Sequence, residues 1–292
     1  MRRALIAACG MVAVMAGLAV HAAPLTDEKP LLEGRAVVLR IEAGEVVVEP
    51  GEPGRVAVEV DLLPGQRLLW REGLDRLIVV LDDSVRTVPR PSRLRLRVPP
   101  AADLLLRVGN SRLDVSGVGG QRLRVEAGRG DVVVASAAPD IAIETTQGAI
   151  VARSEGGRLA TNSVGGRQRL QASGAVEVEA SSVGGPIEAQ LAVGARVRLA
   201  SVAGAIRLSV GAGAGVDAHL ETLSGDIELR LPPGTPFGVR LAPSSGTVEL
   251  PPTYAPRADG LWASAPGGGV ARLTSFSGNI RVIEPPPRAD TP

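Results

Sequence analysis

Carboxylates recur along this sequence at spacings that glycan hydrolysis could use. Glu228 and Glu249 hold the same position in successive copies of one motif, and Glu177 and Glu188 lie close together in an earlier copy. Stacked strands lie about 4.8 Å apart, and glycoside hydrolases hold two carboxyl groups roughly 5–10 Å apart. However, no aspartate cluster accompanies these pairs, and aromatic residues that could stack on sugars make up only 2% of the chain. We therefore expect no enzyme activity and no catalytic residue.

The histidine in the second half of the chain, His219, lies between two carboxylates. Asp217, His219 and Glu221 alternate with apolar residues, so they would share the outer face of a strand. They could form a metal site, or a base with its carboxylates, but successive same-face residues stand about 6.5–7 Å apart, too far for easy shared coordination. A solvated histidine is the simpler interpretation, and we expect no metal and no cofactor.

Two of the few aromatic residues, Tyr254 and Trp262, fall in one loop-like stretch at residues 251–269. Aromatic rings with a polar group are favoured at interfaces, so the pair could form a contact patch for a glycan or a protein. The alternative is that this loop folds over the last repeat and its rings cap the hydrophobic core, as Trp70 would at the other end. Tyr254 and Trp262 are thus the candidate contact surface, with capping as the open alternative.

The elements that must position these residues follow a repeat of a small turn and an alternating strand. Intervals of 18, 18, 19, 19, 21 and 21 residues separate Gly130, Gly148, Gly166, Gly185, Gly204, Gly225 and Gly246, and Gly278 follows after 32 more. A weaker second copy inside several intervals predicts two strands per repeat. Such a period is typical of a β-solenoid. The predicted fold class is all-β: a single-stranded-coil, β-helix-like solenoid with an irregular N-terminal β cap.

Alternation within the strands predicts stacked rows of equivalent side chains. The expected interior row, in chain order, is Ile187, Ile206, Ile227, Val248 and Ile280. The expected exterior row beside it is Glu188, Arg207, Glu228, Glu249 and Arg281. This exterior row could be a charged binding strip, or an ordinary solvated face whose cross-strand pairs each contribute about 0.2–1 kcal/mol. The glycines would turn the corners, where positive φ is often needed.

The first 22 residues are typical of a secretory signal peptide. Arg2 and Arg3 precede an apolar stretch at residues 4–20, and small residues follow it. A lipoprotein-like box that ends at Cys9 is an alternative anchor, although little apolar sequence precedes it. No other stretch reaches the roughly 18 apolar residues that span a bilayer. We expect export to a bacterial periplasm or cell surface, with no transmembrane segment in the mature chain.

Changes in composition divide the rest of the chain into further segments. We expect a lead-in at residues 23–35, an N-terminal β segment and cap at residues 36–108, and solenoid repeats at residues 109–284. An inserted loop at residues 251–269 interrupts the repeats, and residues 285–292 would be a disordered proline-rich tail.

The repeats resemble a family of bacterial envelope proteins known as putative adhesins, a domain of unknown function with a β-solenoid fold. The resemblance covers about residues 36–284. It rests on the arginine-rich strand that ends at Pro99, and on Gly130-Asp-Val-Val-Val, Ser224-Gly-Asp-Ile-Glu-Leu and Ser277-Gly-Asn-Ile-Arg-Val. The aspartate of this motif is replaced in other copies, for example by Ala149 and Pro186, so a turn role is favoured over a ligand role. The resemblance implies no catalytic or binding residue.

The sequence therefore predicts an exported, non-catalytic surface for binding or scaffolding in the cell envelope, with an envelope protein or glycan as its partner. Without the signal, 30 basic residues face 31 acidic ones, and near-neutral charge with few aromatics argues against nucleic-acid binding. One alternative is a structural solenoid that assembles with itself by stacking its end coils. The other is a carbohydrate-active enzyme on a β-helix.

Overall fold

A computed structural model of the chain describes residues 24–83, 89–174, 176–192, 194–212, 215–265 and 267–284. These residues form 25 strands and no helix, so the predicted all-β class is confirmed. Within these ranges there is no helix whose length and apolar character would carry it across a bilayer. The predicted signal peptide at residues 1–22 and the predicted tail at residues 285–292 lie outside the described residues.

Seven strands make up the N-terminal part of the molecule. They are β1 (Leu25–Pro30), β2 (Ala36–Pro50), β3 (Arg55–Val60), β4 (Arg67–Glu72), β5 (Arg76–Asp82), β6 (Ser92–Val98) and β7 (Leu104–Ser116). Strand β1 lies in the predicted lead-in, and the predicted boundary between residues 108 and 109 falls inside β7.

Twelve shorter strands carry the regular repeats. They are β8 (Arg122–Arg129), β9 (Val132–Ser136), β10 (Asp140–Gln147), β11 (Ile150–Ser154), β12 (Gly157–Gly165), β13 (Gln168–Ala172), β14 (Val176–Ser182), β15 (Ile187–Leu191), β16 (Ala195–Ser201), β17 (Ile206–Val210), β18 (Asp217–Thr222) and β19 (Ile227–Arg230). Each strand pairs in parallel with the next but one, from β8 with β10 to β17 with β19. We call the even-numbered series ladder A and the odd-numbered series ladder B.

One coil of the chain contributes one strand to each ladder, which agrees with the predicted two strands per repeat. The long strands β2 and β7 contribute to both ladders, because their first halves pair in ladder A and their second halves in ladder B. The β-solenoid assignment itself stays a prediction.

Six strands complete the C-terminal part: β20 (Phe237–Ser245), β21 (Val248–Glu249), β22 (Ala255–Pro256), β23 (Trp262–Ala263), β24 (Gly269–Ser277) and β25 (Ile280–Ile283). The final coil does not stack at the end of the molecule. Strand β24 lies between β18 and β20, and β25 lies between β19 and β21. The coil formed by β20 and β21 is therefore outermost although it comes earlier in the chain, which corrects the predicted sequential stacking.

The N-terminal end shows the same exchange of order. Strand β2 pairs in parallel with β7 on one side and with β5 and β6 on the other. The coil made of β5 and β6 thus lies outside the coil made by β2, which precedes it in the chain. At both ends, a segment distant in sequence separates two coils that are neighbours in sequence.

Antiparallel strands cover the outer coils. At the N-terminal end β4 pairs with β5, β3 with β6 and β1 with β3, and at the C-terminal end β23 pairs with β20 and β22 with β23. Trp70 of β4 packs against the core, and its indole N–H donates to Asp27 at 2.9 Å. Such strands occupy the backbone groups that an open parallel edge would offer to another chain.

The interior row of ladder B follows the alternation in the sequence. Ile187, Ile206, Ile227 and Ile280 are in register on successive strands, and each is at most 1% exposed. Val248 comes after Ile280 and is 37% exposed, because the order of the last two coils is exchanged. The four isoleucines are therefore interior as predicted, whereas Val248 is not buried and the predicted order of the last two members is wrong.

A buried glutamine interrupts this interior row. Gln168 is fully buried beside Ile187 and has both ends of its amide satisfied. Its Nε2 donates to the carbonyl of Ser181, and its Oε1 accepts from the Thr161 hydroxyl, each at 2.6 Å. Because both partners are present, this polar group avoids the desolvation penalty of an unpaired buried amide.

Corners of ladder A are closed by a buried hydroxyl and a glycine three residues later. In four successive coils the glycine N–H donates to this hydroxyl at 2.8–3.0 Å: Gly185 to Ser182, Gly204 to Ser201, Gly225 to Thr222 and Gly278 to Ser275. The glycines of consecutive coils also stack directly, so a Cβ at Gly204 would overlap the carbonyl oxygen of Gly185. Of the eight glycines that recur along the repeat, from Gly130 to Gly278, four have positive φ: Gly130, Gly148, Gly166 and Gly246. At the other four, close stacking is what excludes a side chain.

The exterior row of ladder B alternates in charge from β13 to the C-terminal coils. In spatial order it runs Arg169, Glu188, Arg207, Glu228, Arg281 and Glu249. Arg281 contacts Glu249 at 2.6 Å and holds the pKa of that carboxyl below its usual value. Chain order would have placed Glu228 beside Glu249, and the exchange of coils inserts Arg281 between them.

Replacing Gly204 with alanine should destabilise the protein by at least about 2 kcal/mol, because the new Cβ would meet a backbone carbonyl that cannot move without breaking the stack. Urea unfolding measures the change. Gly215→Ala is the matched control, since a Cβ there meets nothing within 4 Å. Equal stability of the two variants would contradict the stacked corner.

The exchanged order of the C-terminal coils is testable by engineered disulfides in a Cys9→Ser background. Cα atoms of partners on adjacent strands lie about 4.8 Å apart, within disulfide range, and those two strands apart lie about 9.6 Å apart, outside it. The pair Glu228→Cys with Arg281→Cys should therefore form a disulfide on mild oxidation. The pair Glu228→Cys with Glu249→Cys should stay reduced, and the reverse result would restore chain order.

Candidate binding cleft

A cleft of about 600 Å³ lies on the outer face of ladder A, where the inserted loop overhangs it. The floor consists of outward-facing residues from β14, β16, β18, β24 and β20. Asp259 and Leu261 of the loop form the wall. The cleft therefore lies where the regular repeat is interrupted.

A tight turn and a short antiparallel pairing hold the loop wall in place. Strands β22 and β23 pair with each other, and β23 pairs with β20. Within the turn, Arg257 N–H donates to the carbonyl of Leu261 at 2.8 Å, and Leu261 N–H donates to the Asp259 carboxylate at 3.1 Å. Leu261 lies against Gly238, where a Cβ would come within 2.8 Å of its methyl group. Glycine at position 238 thus lets the loop approach the sheet.

One row of the floor alternates in charge like the exterior row of ladder B. Glu177, Arg196 and Asp217 are in register on β14, β16 and β18. Each pair of opposite charges directly across neighbouring strands contributes about 0.2–1 kcal/mol to stability. This row needs no ligand to balance it.

The neighbouring row of the floor has the opposite character. Arg198, His219, Arg272 and Arg240 are in register on four consecutive strands, and we call them the cationic row. Across the described ranges, none of the three arginines makes an ion pair, and the nearest acidic residue in the row, Glu179, is bound by Arg158 at 2.6 Å. Arg240 makes one long contact, 3.5 Å, to the carbonyl oxygen of Asp259. Arg198 thus has Glu179 directly across from it on β14, whereas neither Arg272 nor Arg240 has an acidic residue directly across from it.

The two residues of the predicted contact surface differ in environment. Tyr254 is 6% exposed and belongs to the hydrophobic core, as the capping alternative requires, whereas Trp262 is 36% exposed. Trp262 is paired with Val239, and the side chain that lines the cleft is that of Leu261. A contact role therefore stays a proposal for Trp262, whose ring is exposed enough to touch a partner.

Burial, and to a smaller extent the nearby Glu284 carboxylate, raise the pKa of the Tyr254 hydroxyl to about 12. Among the described residues, the hydroxyl has no hydrogen bond of good geometry. The ring therefore contributes packing to the C-terminal end, and its polar group contributes little.

The acidic and histidine candidates are arranged as follows. His219 approaches Glu221 at 3.5 Å, and the side chains are 36% and 60% exposed, so the pair lies at the surface. Within the described part of the chain, no group of three or more histidine, cysteine or acidic residues is arranged to hold a metal ion. Glu228 and Glu249 are separated by Arg281, which corrects their expected adjacency.

The second carboxylate pair is also divided. Glu177 belongs to β14 of ladder A and Glu188 to β15 of ladder B, so the two lie on different ladders. Glu188 is held by Arg169 and Arg207, each at 3.3 Å. Both of its neighbours in the row are therefore cations.

A second surface feature is an apolar ridge along the corner of ladder A. It consists of one exposed residue per coil: Val164, Val183, Val202, Leu223 and Phe276, which are 46–60% exposed. Each directly follows the buried hydroxyl residue of its corner, and backbone hydrogen bonds continue through the row, as from Ser224 N–H to the carbonyl of Val202 at 2.9 Å. Aligned apolar side chains of this kind mark candidate interaction surfaces.

Sequence reasoning missed the cationic row and the loop residues that face it. Extending the repeat register from β16 to β18 would have placed Arg198 beside His219. Arg272 and Arg240 could not be added, because they join the row only through the exchange of the last coils. The alternating charges of the ladder B row were the available signal for that exchange.

No protein-family model matches the chain, and a comparison with curated proteins gives no match. Solved structures do match. A putative adhesin from Parabacteroides merdae has 10% identity and a TM-score of 0.44, over 90% of this chain and 97% of that one. A putative lipid binding protein from Parabacteroides distasonis has 12% identity and a TM-score of 0.40, over 90% and 97% of the two chains.

A putative adhesin from Bacteroides fragilis also matches, with 10% identity and a TM-score of 0.34, over 89% of this chain and 97% of that one. Putative adhesins, which the sequence resembles, are thus among the solved structures that match. No residue role is carried over from any of them.

Tyr254→Phe should leave stability at neutral pH unchanged or slightly higher, because it removes a buried hydroxyl without a good partner. In the parent, a folded pKa of about 12 against an ordinary value of 10.0 means that the folded state holds the proton more tightly. Stability should therefore fall as pH rises from about 10 to about 12, by at most about 1.4 kcal/mol per pH unit.

This alkaline loss should be absent in Tyr254→Phe, as urea unfolding at several pH values would measure. Because the chain has one tyrosine, ultraviolet titration of the parent reports the same pKa directly. A titration midpoint near 10 in the folded protein would contradict the burial of the hydroxyl.

Proposed function

We propose that this chain is an exported, non-catalytic β-solenoid that binds a component of the bacterial cell envelope on the outer face of ladder A. The solenoid assignment is supported by the parallel pairing of each strand with the next but one from β7 to β19. Export is supported by the signal-like residues 1–22.

The observation that carries the binding role is the cleft under the inserted loop. Pairing of opposite charges accounts for the alternating rows, whereas no opposite charge directly across from Arg272 and Arg240 accounts for the cationic row. Leu261 and Asp259 stand over a polar floor, so this cleft combines an apolar wall with charged groups of both signs. Binding sites in proteins are commonly concave and combine apolar walls with a few polar groups.

Of the two residues of the predicted contact surface, Tyr254 and Trp262, we propose that Trp262 contacts the partner, because its side chain is exposed to solvent. Trp262 directly follows Leu261 in the sequence and is the first residue of β23. The partner would be an envelope glycan or protein, and nucleic acid remains disfavoured by the near-neutral charge.

The alternative function is self-assembly, and the apolar ridge is the observation that favours it. Covered ends oppose end-to-end stacking, so assembly would be lateral, with the ridges of two molecules in contact. Sedimentation velocity at increasing concentration separates the functions. A monomer at all concentrations excludes assembly, whereas dimers that Val202→Ser with Leu223→Ser abolishes would establish it.

Cosedimentation of the mature chain with isolated envelope fragments tests the proposed function. We expect binding by the parent chain, and binding at least about tenfold weaker for Arg272→Glu, since reversing one charge in a site costs about 1.4 kcal/mol or more. Trp262→Ala tests the loop contact in the same assay. Arg153→Glu on the outer face of ladder B is the matched control and should bind like the parent.

Two outcomes would overturn the proposal. The first is that the parent chain does not bind the fragments at all. The second is that Arg153→Glu weakens binding as much as Arg272→Glu, because binding would then follow net charge and would not depend on the cleft.

A further inference from the structure

We propose that the cationic row binds the carboxylates of an acidic glycan. This inference rests on the proposed function and names its ligand class. The residues that would contact the glycan carboxylates are Arg198, Arg272 and Arg240, with His219 between the first two.

The cationic row is hard to explain by folding alone. Like charges directly opposite each other on neighbouring strands are destabilising. In the exterior row of ladder B, by contrast, arginines lie beside acids: Arg207 lies between Glu188 and Glu228 at 3.3 and 3.7 Å, and Arg281 contacts Glu249. Arg272 and Arg240 face each other directly, and the residue on the other side of Arg272 is His219, so neither arginine has an acid directly across from it. An external anion bound between the two guanidinium groups would offset this repulsion.

Arginine suits a carboxylate ligand because its guanidinium group is planar and can donate two parallel N–H bonds to both oxygens. Four consecutive strands extend over roughly 14 Å, which is longer than one carboxylate requires. A linear chain that carries a carboxylate on successive units would reach several members of the row at once.

The other residues of the cleft favour a sugar over a polyanion without hydroxyl groups. Glu177, Asp217 and Asp259 line the same cavity, and their carboxylates can only accept hydrogen bonds when ionised. Sugar hydroxyls can donate to them, whereas a chain of phosphates would be repelled. Leu261 adds an apolar surface against which the C–H face of a sugar ring can pack. The combination of unpaired cations, acceptors and one apolar wall therefore matches an acidic sugar.

Exposure of the row sets the expected strength and salt dependence. Arg198, Arg272 and Arg240 are exposed, so their attraction for an anion is screened at the ionic strength of about 0.15 M, where the Debye length is about 8 Å. Affinity should fall as salt is added, and several contacts along one chain are needed for useful binding.

Isothermal titration calorimetry with oligogalacturonate tests the proposal on the mature chain. The matched probe is the fully methyl-esterified oligomer, which keeps the sugars and removes the charge. We expect the acid form to bind and the ester to bind at least about tenfold more weakly. Added inorganic polyphosphate should compete poorly because of the acidic residues in the cleft.

Arg198→Gln with Arg272→Gln should weaken oligogalacturonate binding by roughly tenfold or more per arginine removed. Arg153→Gln on ladder B is the control and should bind like the parent. The double variant should also unfold at the same or a higher urea concentration than the parent, because the like-charge contacts are gone. Loss of binding together with unchanged or improved stability would separate a ligand site from a structural role.

The inference is overturned if the ester binds as tightly as the acid, if polyphosphate binds more tightly, or if the double variant keeps full affinity. These failures are distinct from failure of the proposed function. Envelope fragments that still cosediment in an Arg272-dependent way, without oligogalacturonate binding, would retain the binding surface and reject the acidic glycan.

Discussion

Close backbone stacking at the glycine corners is the constraint on which the rest of this structure depends. Gly185, Gly204 and Gly225 lie one above another at distances that leave no room for a Cβ, and buried hydroxyls hold their N–H groups. This stacking sets the register between coils. Register then decides which side chains share a row, and therefore which rows alternate in charge and which remain cationic.

Much of the architecture could be predicted from local pattern. The all-β class, two strands per repeat and the buried row at Ile187, Ile206 and Ile227 follow from alternation and glycine spacing, because these depend on neighbours within one coil. The order of the end coils could not be predicted, because pairing between coils depends on contacts of high sequence separation. Ile280 and Val248 are both apolar and would both suit the place beside Ile227, whereas the charge of Arg281 beside Glu228 favours the observed order.

The candidate site could not be predicted from the sequence, because its residues come together only when β24 inserts between β18 and β20. Tyr254 and Trp262 stand out by residue type, which draws attention to the loop, yet the polar floor of the cleft comes from strands on both sides of β24. Arginine is common in this chain, with 32 arginines and lysines in all. A single arginine therefore carries no signal, and only the register that brings Arg198, Arg272 and Arg240 together reveals a site.

The position of β24 and β25 between two earlier coils also has a consequence for synthesis and truncation. The coil of β20 and β21 has no parallel partner until the last strands are in place. During synthesis its parallel edges must therefore stay unpaired until β24 and β25 have been made. A chain that stopped just before Gly269 would accordingly lose one coil and leave a second without its parallel neighbour, so two coils depend on the same short segment.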